Sequence, residues 1–338
     1  MLIGGVLLDR LKIMMKLPII DETVAGKRVL VRGDIDAPLV AVSGERLAVS
    51  DDTRLRAISP TIEFLLKNNC KVTLCGHIGR PASADATARQ AFFVKPIAEW
   101  FAKMVNDQYP MINEGNKFRI GENLVVLENL RFDPREEAND STFAEELARD
   151  QDIFVNEAFA TCERAHTSIV GVPKLLPHFA GFRLAKEIEV LSQVLENPQH
   201  PLVVFIGGIK WETKEVFAAK MKTVADLVVS SKEMPPGLDV KIEEIDKYKD
   251  QIAKAKTIVW NGPFGKIEDF TYQVGTKRLA ELITASPAYK IVGGGDTVAF
   301  VNKLGLTDKF DWVSTGGGSM LKLLAGEELP GVTALVAC

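Results

Sequence analysis

Short apolar runs alternate with longer amphipathic segments along most of this 338-residue chain. The runs are rich in Val, Ile and Leu, as is typical of strands buried on both faces, and the segments between them have helical periodicity. The predicted strands are 28–32, 71–75, 124–127, 153–155, 202–206, 227–229, 257–260, 290–292 and 311–313. The predicted helices are 55–66, 94–104, 142–149, 276–284 and 297–304. Such alternation predicts an α/β fold in which helices flank parallel sheets.

The length of the chain predicts two domains, each large enough to hold its own core. Residues 181–197 have the pattern of one helix that ends at Asn197-Pro198, and this helix is a plausible connector between two α/β units. We therefore predict two Rossmann-like domains with parallel sheets, joined by a hinge helix and divided into residues 1–185 and 186–338.

Composition argues against several classes of function. The net charge of −4 and the isoelectric point near 5.8 do not suggest nucleic-acid binding. The four cysteines have neither metal-ligand spacing nor the density of a disulfide framework, so we expect reduced thiols and a cytoplasmic protein. Residues 1–16 form an apolar stretch that is interrupted by charges and is too short to span a bilayer. It is predicted to be an extra helix or a disordered extension, and no membrane partner is expected.

Basic side chains follow the predicted strands of the first half. Because the carboxyl ends of parallel strands lie at one edge of a sheet, these side chains should gather there. They are Arg54, His77, Arg80, Arg131, Arg164 and His166. The arginine fork suits phosphate and carboxylate groups. Each arginine alone could be a solvated surface residue, but their shared placement after strands favours an anion site.

Two triple-glycine loops lie in the second half, at 293–297 and 314–318, each between a predicted strand and a helical pattern. Glycine lets backbone amides turn toward an anion, and a following helix N-terminus adds a favourable dipole. Asp296 beside the first loop could hold a divalent cation. The alternative is two tight turns, but the pair of loops favours phosphate binding.

Two further loops add polar groups to this half. Residues 207–214 carry Lys210 and Lys214, and residues 260–265 form a turn followed by Glu268. The chain contains neither a Walker-type phosphate loop nor the Gly-x-Gly-x-x-Gly fingerprint of dinucleotide-binding folds. A cationic domain and a glycine-loop domain together suggest phosphoryl transfer between two substrates.

These motifs resemble the phosphoglycerate kinase family over nearly the whole chain, and they occur in the family's order. The matching runs are 29–34, 52–54, 76–81, 127–132, 164–166, 207–210, 260–263, 293–297, 314–318 and 328–332. The resemblance implies reversible phosphoryl transfer between 1,3-bisphosphoglycerate and ADP in glycolysis. It also implies Mg²⁺, a monomer, and final residues that pack back on the N-terminal domain. The expected small-molecule partners are 3-phosphoglycerate and an adenine or other purine nucleotide.

The resemblance also implies site residues. The substrate-binding residues would be Asp34, Asp36, Arg54, His77, Arg80, Arg131 and Arg164. The nucleotide-binding residues would be Gly208, Lys214, Asn261, Pro263, Glu268, Gly295, Asp296 and Thr297, with Glu268 at the ribose and Asp296 at the metal. The catalytic residues around the moving phosphoryl would be Arg54, Lys210, Lys214, Gly317 and Gly318. Closure of the domains about residues 181–197 would bring the substrates together.

The chain departs from the family in a gap between Met221 and Gly237, where several dozen residues are missing and the C-terminal domain is therefore reduced. The missing part includes one wall of the adenine pocket, so we expect an open base slot unless Trp211 or residues 231–237 rebuild that wall.

Single-residue departures are Asp36, Glu163, Thr213 and Trp312. Asp36 and Glu163 make the basic pocket less positive. Trp312 replaces a histidine that meets the hinge glutamate, here Glu187. Two functions remain open, an active kinase and a non-catalytic protein that binds phosphorylated metabolites. The retained lysines and glycine loops favour the first, because binding alone does not need transition-state donors.

Overall fold

The computed structural model describes residues 17–43, 46–81, 91–106, 110–208, 211–234 and 237–336. The predictions for residues 1–16 and for Lys210 lie outside these ranges. Within them, no helix combines the length and the apolar character needed to cross a membrane. The chain divides into two compact units, and the division falls between Lys186 and Glu187, with the residues from Leu329 onward belonging to the first unit.

The first unit is built on a seven-stranded sheet and a separate two-stranded hairpin. Its strands are β1 (Arg28–Gly33), β2 (Leu39–Ser43), β3 (Arg46–Val49), β4 (Lys71–Cys75), β5 (Met111–Asn113), β6 (Lys117–Ile120), β7 (Leu124–Leu127), β8 (Ile153–Glu157) and β9 (His178–Ala180). The order in the large sheet is β5-β6-β7-β4-β1-β8-β9, and β2 pairs with β3. Strands β7, β4, β1, β8 and β9 are parallel, whereas β5 and β6 add an antiparallel edge.

Helices cover this sheet. They are α1 (Thr53–Lys67), α2 (Lys95–Asn106), α3 (Arg135–Ala138), α4 (Ser141–Ala148) and the first part of α5 (Phe182–Glu196). Central strand β1 is buried on both faces at Val29, Leu30 and Val31, and α1 packs Ile58 and Ile62 into the same core. The apolar period of α1 thus explains its position on the sheet.

The second unit is built on one five-stranded sheet that is parallel throughout. Its strands are β10 (Leu202–Ile206), β11 (Leu227–Ser230), β12 (Thr257–Asn261), β13 (Tyr289–Gly293) and β14 (Trp312–Ser314), in the order β11-β10-β12-β13-β14. Its further helices are α6 (Glu215–Met221), α7 (Ile242–Asp246), α8 (Lys249–Lys254), α9 (Val274–Ala285), α10 (Gly295–Lys303) and α11 (Gly317–Leu324). The closing helix α12 (Pro330–Val336) belongs to the first unit. The predicted α/β class with parallel sheets is confirmed.

A buried carboxyl group holds the start of α5. Glu157, at the end of β8, is 1% exposed. Its two carboxylate oxygens accept hydrogen bonds from the amides of Arg183 and Leu184, each at 3.0 Å, and from the hydroxyl of Thr61 on α1. Burial raises the pKa of Glu157 to about 7, against the lowering effect of these hydrogen bonds. The first turn of α5 is therefore fixed to β8 and α1 by one titratable group.

Candidate functional site

The first unit holds a basic cluster at the carboxyl ends of β1, β4, β7 and β8. We define it as Arg32, Arg54, His77, Arg131, Arg164 and His166. The completely buried side chain of Arg32 lies at its base, where it donates to Ser168 Oγ at 2.8 Å and to His77 Nδ1 at 2.9 Å. Five of its residues, Arg54, His77, Arg131, Arg164 and His166, belong to the set expected to gather at the strand ends, and the parallel topology places those strand ends at one edge of the sheet.

Both histidines of the cluster are neutral near pH 7. Burial and the positive charges of Arg32, Arg131 and Arg164 hold the pKa of His77 well below its usual value. The same causes lower the pKa of His166 to about 4. Because the Arg32 guanidinium can only donate, His77 Nδ1 must accept, and the ring proton therefore sits on Nε2. A neutral histidine with a free donor suits an anionic ligand.

Two carboxylates balance part of this positive charge. Asp34, 2% exposed, accepts from Arg54 at 2.8 Å, and its second oxygen, Oδ2, is buried without a hydrogen-bond partner among the described residues. Asp36 accepts from the Gly79 amide at 2.7 Å and lies 3.8 Å from His77 Nε2. The proximity of Asp34, followed in effect by Asp36, raises the pKa of Arg54.

The remaining predicted arginines differ in their surroundings. Arg131 donates to the Gly79 carbonyl at 2.6 Å and lies 2.9 Å from Glu137, and its side chain is 4% exposed. Arg164 lies 3.6 Å from Glu163, so this family departure sits directly beside the cluster. Arg80 is exposed, and within the described ranges no hydrogen bond or ion pair joins it to the cluster. Its place in the substrate site stays a prediction.

The sequence motifs do not identify the buried groups that support the basic cluster, which are Arg32, Ser168 and Glu136. Arg32 lies within the matching run 29–34, but the motifs do not assign it to the site. Glu136 is completely buried and accepts from the amide and hydroxyl of Ser168, at 3.0 and 2.6 Å, so Ser168 joins it to Arg32. The signal for Arg32 was available, since an arginine at the end of an apolar strand must be paired when it is buried.

Lys214 is a buried cation of the second unit. It directly precedes α6, is 9% exposed, and donates from Nζ to the Gly207 carbonyl at the end of β10. Burial lowers its pKa to about 8, while nearby Asp296 acts to raise it. A partly desolvated ammonium group next to an exposed carboxylate can neutralise the charge of a phosphate that enters this space.

The two glycine loops lie against one another. A β-carbon on Gly317 would lie 3.3 Å from the α-carbon of Gly294 and 3.7 Å from the amide nitrogen of Gly295. Gly294 has a φ of +96°, which disfavours other residues, and it precedes α10, while Gly316 precedes α11. The N-termini of two helices, at Gly295 and at Gly317-Gly318, therefore converge, as a polyphosphate site requires.

The other predicted nucleotide residues line the same strand ends. Thr297 is buried and accepts from the Gly262 amide at 3.0 Å, and Asn261 is 2% exposed at the end of β12. Asp296 is exposed in the first turn of α10, and Glu268 is exposed in the loop after β12. Thr297 thus acts as a structural support for the Gly262 turn, whereas Asp296 and Glu268 are free to meet solvent or a ligand.

The second glycine loop is tied to α5. Glu187 accepts from the Trp312 indole at 2.9 Å and from the Thr315 amide at 2.8 Å. Trp312, which departs from the family's histidine, therefore still contacts Glu187, with its indole N–H as donor.

A cavity of about 460 Å³ opens beside Gly208 and Pro263. Trp211, Ser231, Met234 and Gly237 line it as well, so the structure favours the alternative in which these residues rebuild the missing wall. The physical reason is a pairing that local patterns did not reveal: Val240 donates to the Phe264 carbonyl at 3.2 Å, and Lys266 donates to the Leu238 carbonyl at 2.7 Å. This pairing brings the shortened segment beside Pro263.

One unit carries the basic cluster and the other carries the two converging glycine loops. Together they are typical of a phosphotransferase that binds two substrates. Comparison with known proteins specifies it further. The family model "Phosphoglycerate kinase" matches residues 19–230 and 215–327. The chain belongs to the phosphoglycerate kinase family, whose members are glycolytic phosphotransferases with a carboxyl group as acceptor.

Individual relatives agree. The phosphoglycerate kinase of Herpetosiphon aurantiacus is 34% identical, with 95% of this chain and 99% of the relative covered. That of Roseiflexus sp. strain RS-1 is 36% identical with the same coverage. Among solved structures, phosphoglycerate kinase from Coxiella burnetii superimposes with a TM-score of 0.75 at 29% identity, covering 92% of this chain and 96% of the other. The Pyrococcus horikoshii enzyme gives 0.77 at 26% identity, with the same coverage.

The chain is shorter than these relatives in its interior. The alignment with the Herpetosiphon protein spans 399 positions, which exceeds the 338 residues of this chain by 61, so at least that many positions have no residue here. The two segments matched by the family model overlap at residues 215–230, next to the predicted gap. Both findings support an internal shortening of the second unit.

Proposed function

We propose that this chain is an active kinase that transfers phosphoryl reversibly between 1,3-bisphosphoglycerate and ADP, giving 3-phosphoglycerate and ATP. The observation that carries the proposal is the buried ammonium group of Lys214, placed beside Asp296 at the strand ends where two glycine loops converge. Membership of the family supports the same reaction.

The basic cluster is the proposed 3-phosphoglycerate site. Arg54, Arg131 and Arg164 would bind the phosphate and carboxylate groups, since the arginine fork matches both. His77 would donate from Nε2, and Asp34 and Asp36 would position these donors. Arg80 completes the proposed set.

The second unit is the proposed nucleotide site. Gly208, Lys214 and Gly295 would hold the phosphates, Pro263 the base, and Glu268 the ribose. Mg²⁺ is commonly held by one or two carboxylates together with substrate phosphates. Within the described ranges no group of three or more metal-binding side chains is present, so the single exposed carboxylate of Asp296 fits such a shared site but not an all-protein one. Bound there, Mg²⁺ would neutralise phosphate charge.

The chemistry needs alignment and positive charge more than proton transfer. A phosphate oxygen of ADP and, in reverse, the carboxylate of 3-phosphoglycerate are ionised at neutral pH, so no general base is required. Lys210, Lys214, Arg54 and the amides of Gly317 and Gly318 are proposed to stabilise the phosphoryl group in transit. We further propose a monomer in the cytoplasm, with α5 as the hinge.

Replacing Asp36 by asparagine is expected to tighten 3-phosphoglycerate binding by about 1 kcal/mol, because it removes a negative charge from a partly solvated anion site. Asparagine can still accept from the Gly79 amide. Calorimetric titration at low and high salt would measure the gain, which should shrink with salt. Asp150→Asn, which changes an 82% exposed carboxylate of the same unit, is the matched control. Weaker binding by Asp36→Asn would show that its charge is needed to hold the site together.

ATP and GTP are expected to differ by less than about tenfold in catalytic efficiency, or roughly 1.4 kcal/mol. Strong base discrimination needs fixed polar partners that the wrong base leaves unpaired. Asp239, a polar residue of the cavity, is already used, since it accepts from the amides of Val240, Val274 and Gly275. A coupled assay with 3-phosphoglycerate and each nucleotide tests both this expectation and the proposed reaction. A hundredfold preference for ATP would contradict the expectation.

A further inference from the structure

The cavity beside Gly208 contains an aromatic side chain that the family motifs do not account for. Trp211 forms the turn before α6, and its carbonyl accepts from the amide of Lys214 at 2.8 Å. It is half-buried and lines the cavity together with Gly208 and Pro263. A β-carbon on Gly208 would lie 2.7 Å from Lys214 Nζ, so the same cavity reaches the phosphate-binding cation.

A cation holds the indole of Trp211 from the facing segment. Lys232 Nζ lies 5.4 Å from the centroid of the Trp211 ring and 3.5 Å from Glu215 on α6. Lys232 belongs to the short turn after β11, where the Ser230 hydroxyl accepts from its amide. Contacts of this kind between a lysine and an indole are favourable and limit the orientation of the ring.

Some apolar residues that line the cavity belong to the core of the second unit, and others are exposed to solvent. Met234 and Val240 are 9% and 8% exposed and belong to the core of the second unit, which fixes the floor of this region. Leu238 also lines the cavity but is 54% exposed. Leu238 and the half-buried Trp211 are thus two apolar groups of the cavity lining that a flat apolar ligand can cover.

We infer that Trp211, held by Lys232, is the residue against which the nucleotide base stacks in this shortened chain. Every base has a π-face, so an aromatic platform gives affinity with little selectivity among bases. The inference rests on the proposed function in taking a nucleotide as the ligand. It adds that Trp211 determines base affinity in place of the wall that the chain lacks.

The test is calorimetric titration of the full-length protein and its Trp211→Ala variant with ADP and with inorganic tripolyphosphate, which has no base. Loss of one base–aromatic stack should raise the Kd for ADP by about tenfold. The Kd for tripolyphosphate should be unchanged, because the phosphate loops are intact. Val216→Ala, a 57% exposed residue of α6 that does not line the cavity, is the control.

A second pair of variants guards against misfolding of the alanine variant. Trp211→Phe keeps an aromatic ring and Trp211→Leu keeps only apolar volume, so the leucine variant should bind ADP about tenfold more weakly than the phenylalanine variant. Equal ADP binding by these two, or an equal loss of tripolyphosphate binding, would overturn the inference. A wild-type protein that binds ADP through Trp211 but transfers no phosphoryl would refute the proposed function alone.

Discussion

Replacing Lys214 by alanine is expected to lower turnover by about a hundredfold or more while 3-phosphoglycerate binds as it does to the wild type. The ammonium group is preorganised by burial and by the Gly207 carbonyl, and removal of one preorganised donor to a transition state has a cost of this size. The basic cluster belongs to the other unit and should be unaffected. Steady-state kinetics and calorimetry would measure the two properties separately.

Lys220→Ala, which removes a half-buried lysine from the last turn of α6, is the matched control and should keep normal turnover. The pH profile adds a second readout. Because burial lowers the pKa of Lys214 to about 8, its positive charge is lost as the pH rises through that value. Wild-type kcat/KM for the nucleotide, which reports the free enzyme, should therefore fall above pH 8. Normal turnover in Lys214→Ala would remove this residue from catalysis.

The stability of the wild type relative to Glu157→Gln is expected to fall by about 2.5 kcal/mol between pH 5 and pH 8. The folded-state pKa of Glu157 is raised to about 7 from 4.5, so the folded protein holds this proton more tightly than the unfolded chain does. The resulting stabilisation is fully present below about pH 4.5 and is lost as the pH rises to about 7. A glutamine does not titrate and so provides the reference.

Urea unfolding followed by circular dichroism at several pH values would measure this difference. Glu63→Gln, which changes an exposed carboxylate on α1, is the control and should show little change relative to the wild type. A difference between the wild type and Glu157→Gln that does not vary with pH would show that the hydrogen bonds from Thr61 and the α5 amides outweigh burial, and that the carboxylate stays ionised in the fold.

The elements that could be predicted are those whose own residues form a recognisable apolar pattern. Strand β10 is a fully buried apolar run, and such runs predicted every parallel strand of the two sheets except the three-residue β9. The hairpin β2–β3 and the edge strand β5 were missed because they are short and largely exposed, so pairing and not apolar period defines them. These strands form because of pairing with neighbouring strands, which local sequence patterns do not reveal.

The candidate site divides in the same way. Loops with backbone requirements, such as Gly294 with its positive φ, were recognisable from sequence. The pairing of Arg32 with His77 was not, because the two residues are distant in sequence and their geometry depends on the sheet register. Nor could the sequence place Trp211 and Met234 in one cavity, since that depends on the contact between residues 238–240 and 264–266.

Phosphorus NMR of the purified protein with ATP, Mg²⁺ and 3-phosphoglycerate tests the central claim most directly. An active kinase should produce ADP and a new acyl phosphate resonance, and both should disappear when 3-phosphoglycerate is omitted. Lys214→Ala should produce them at no more than about a hundredth of the wild-type rate. Binding of both substrates by the wild type without any acyl phosphate or ADP would contradict the account and identify a non-catalytic binding protein.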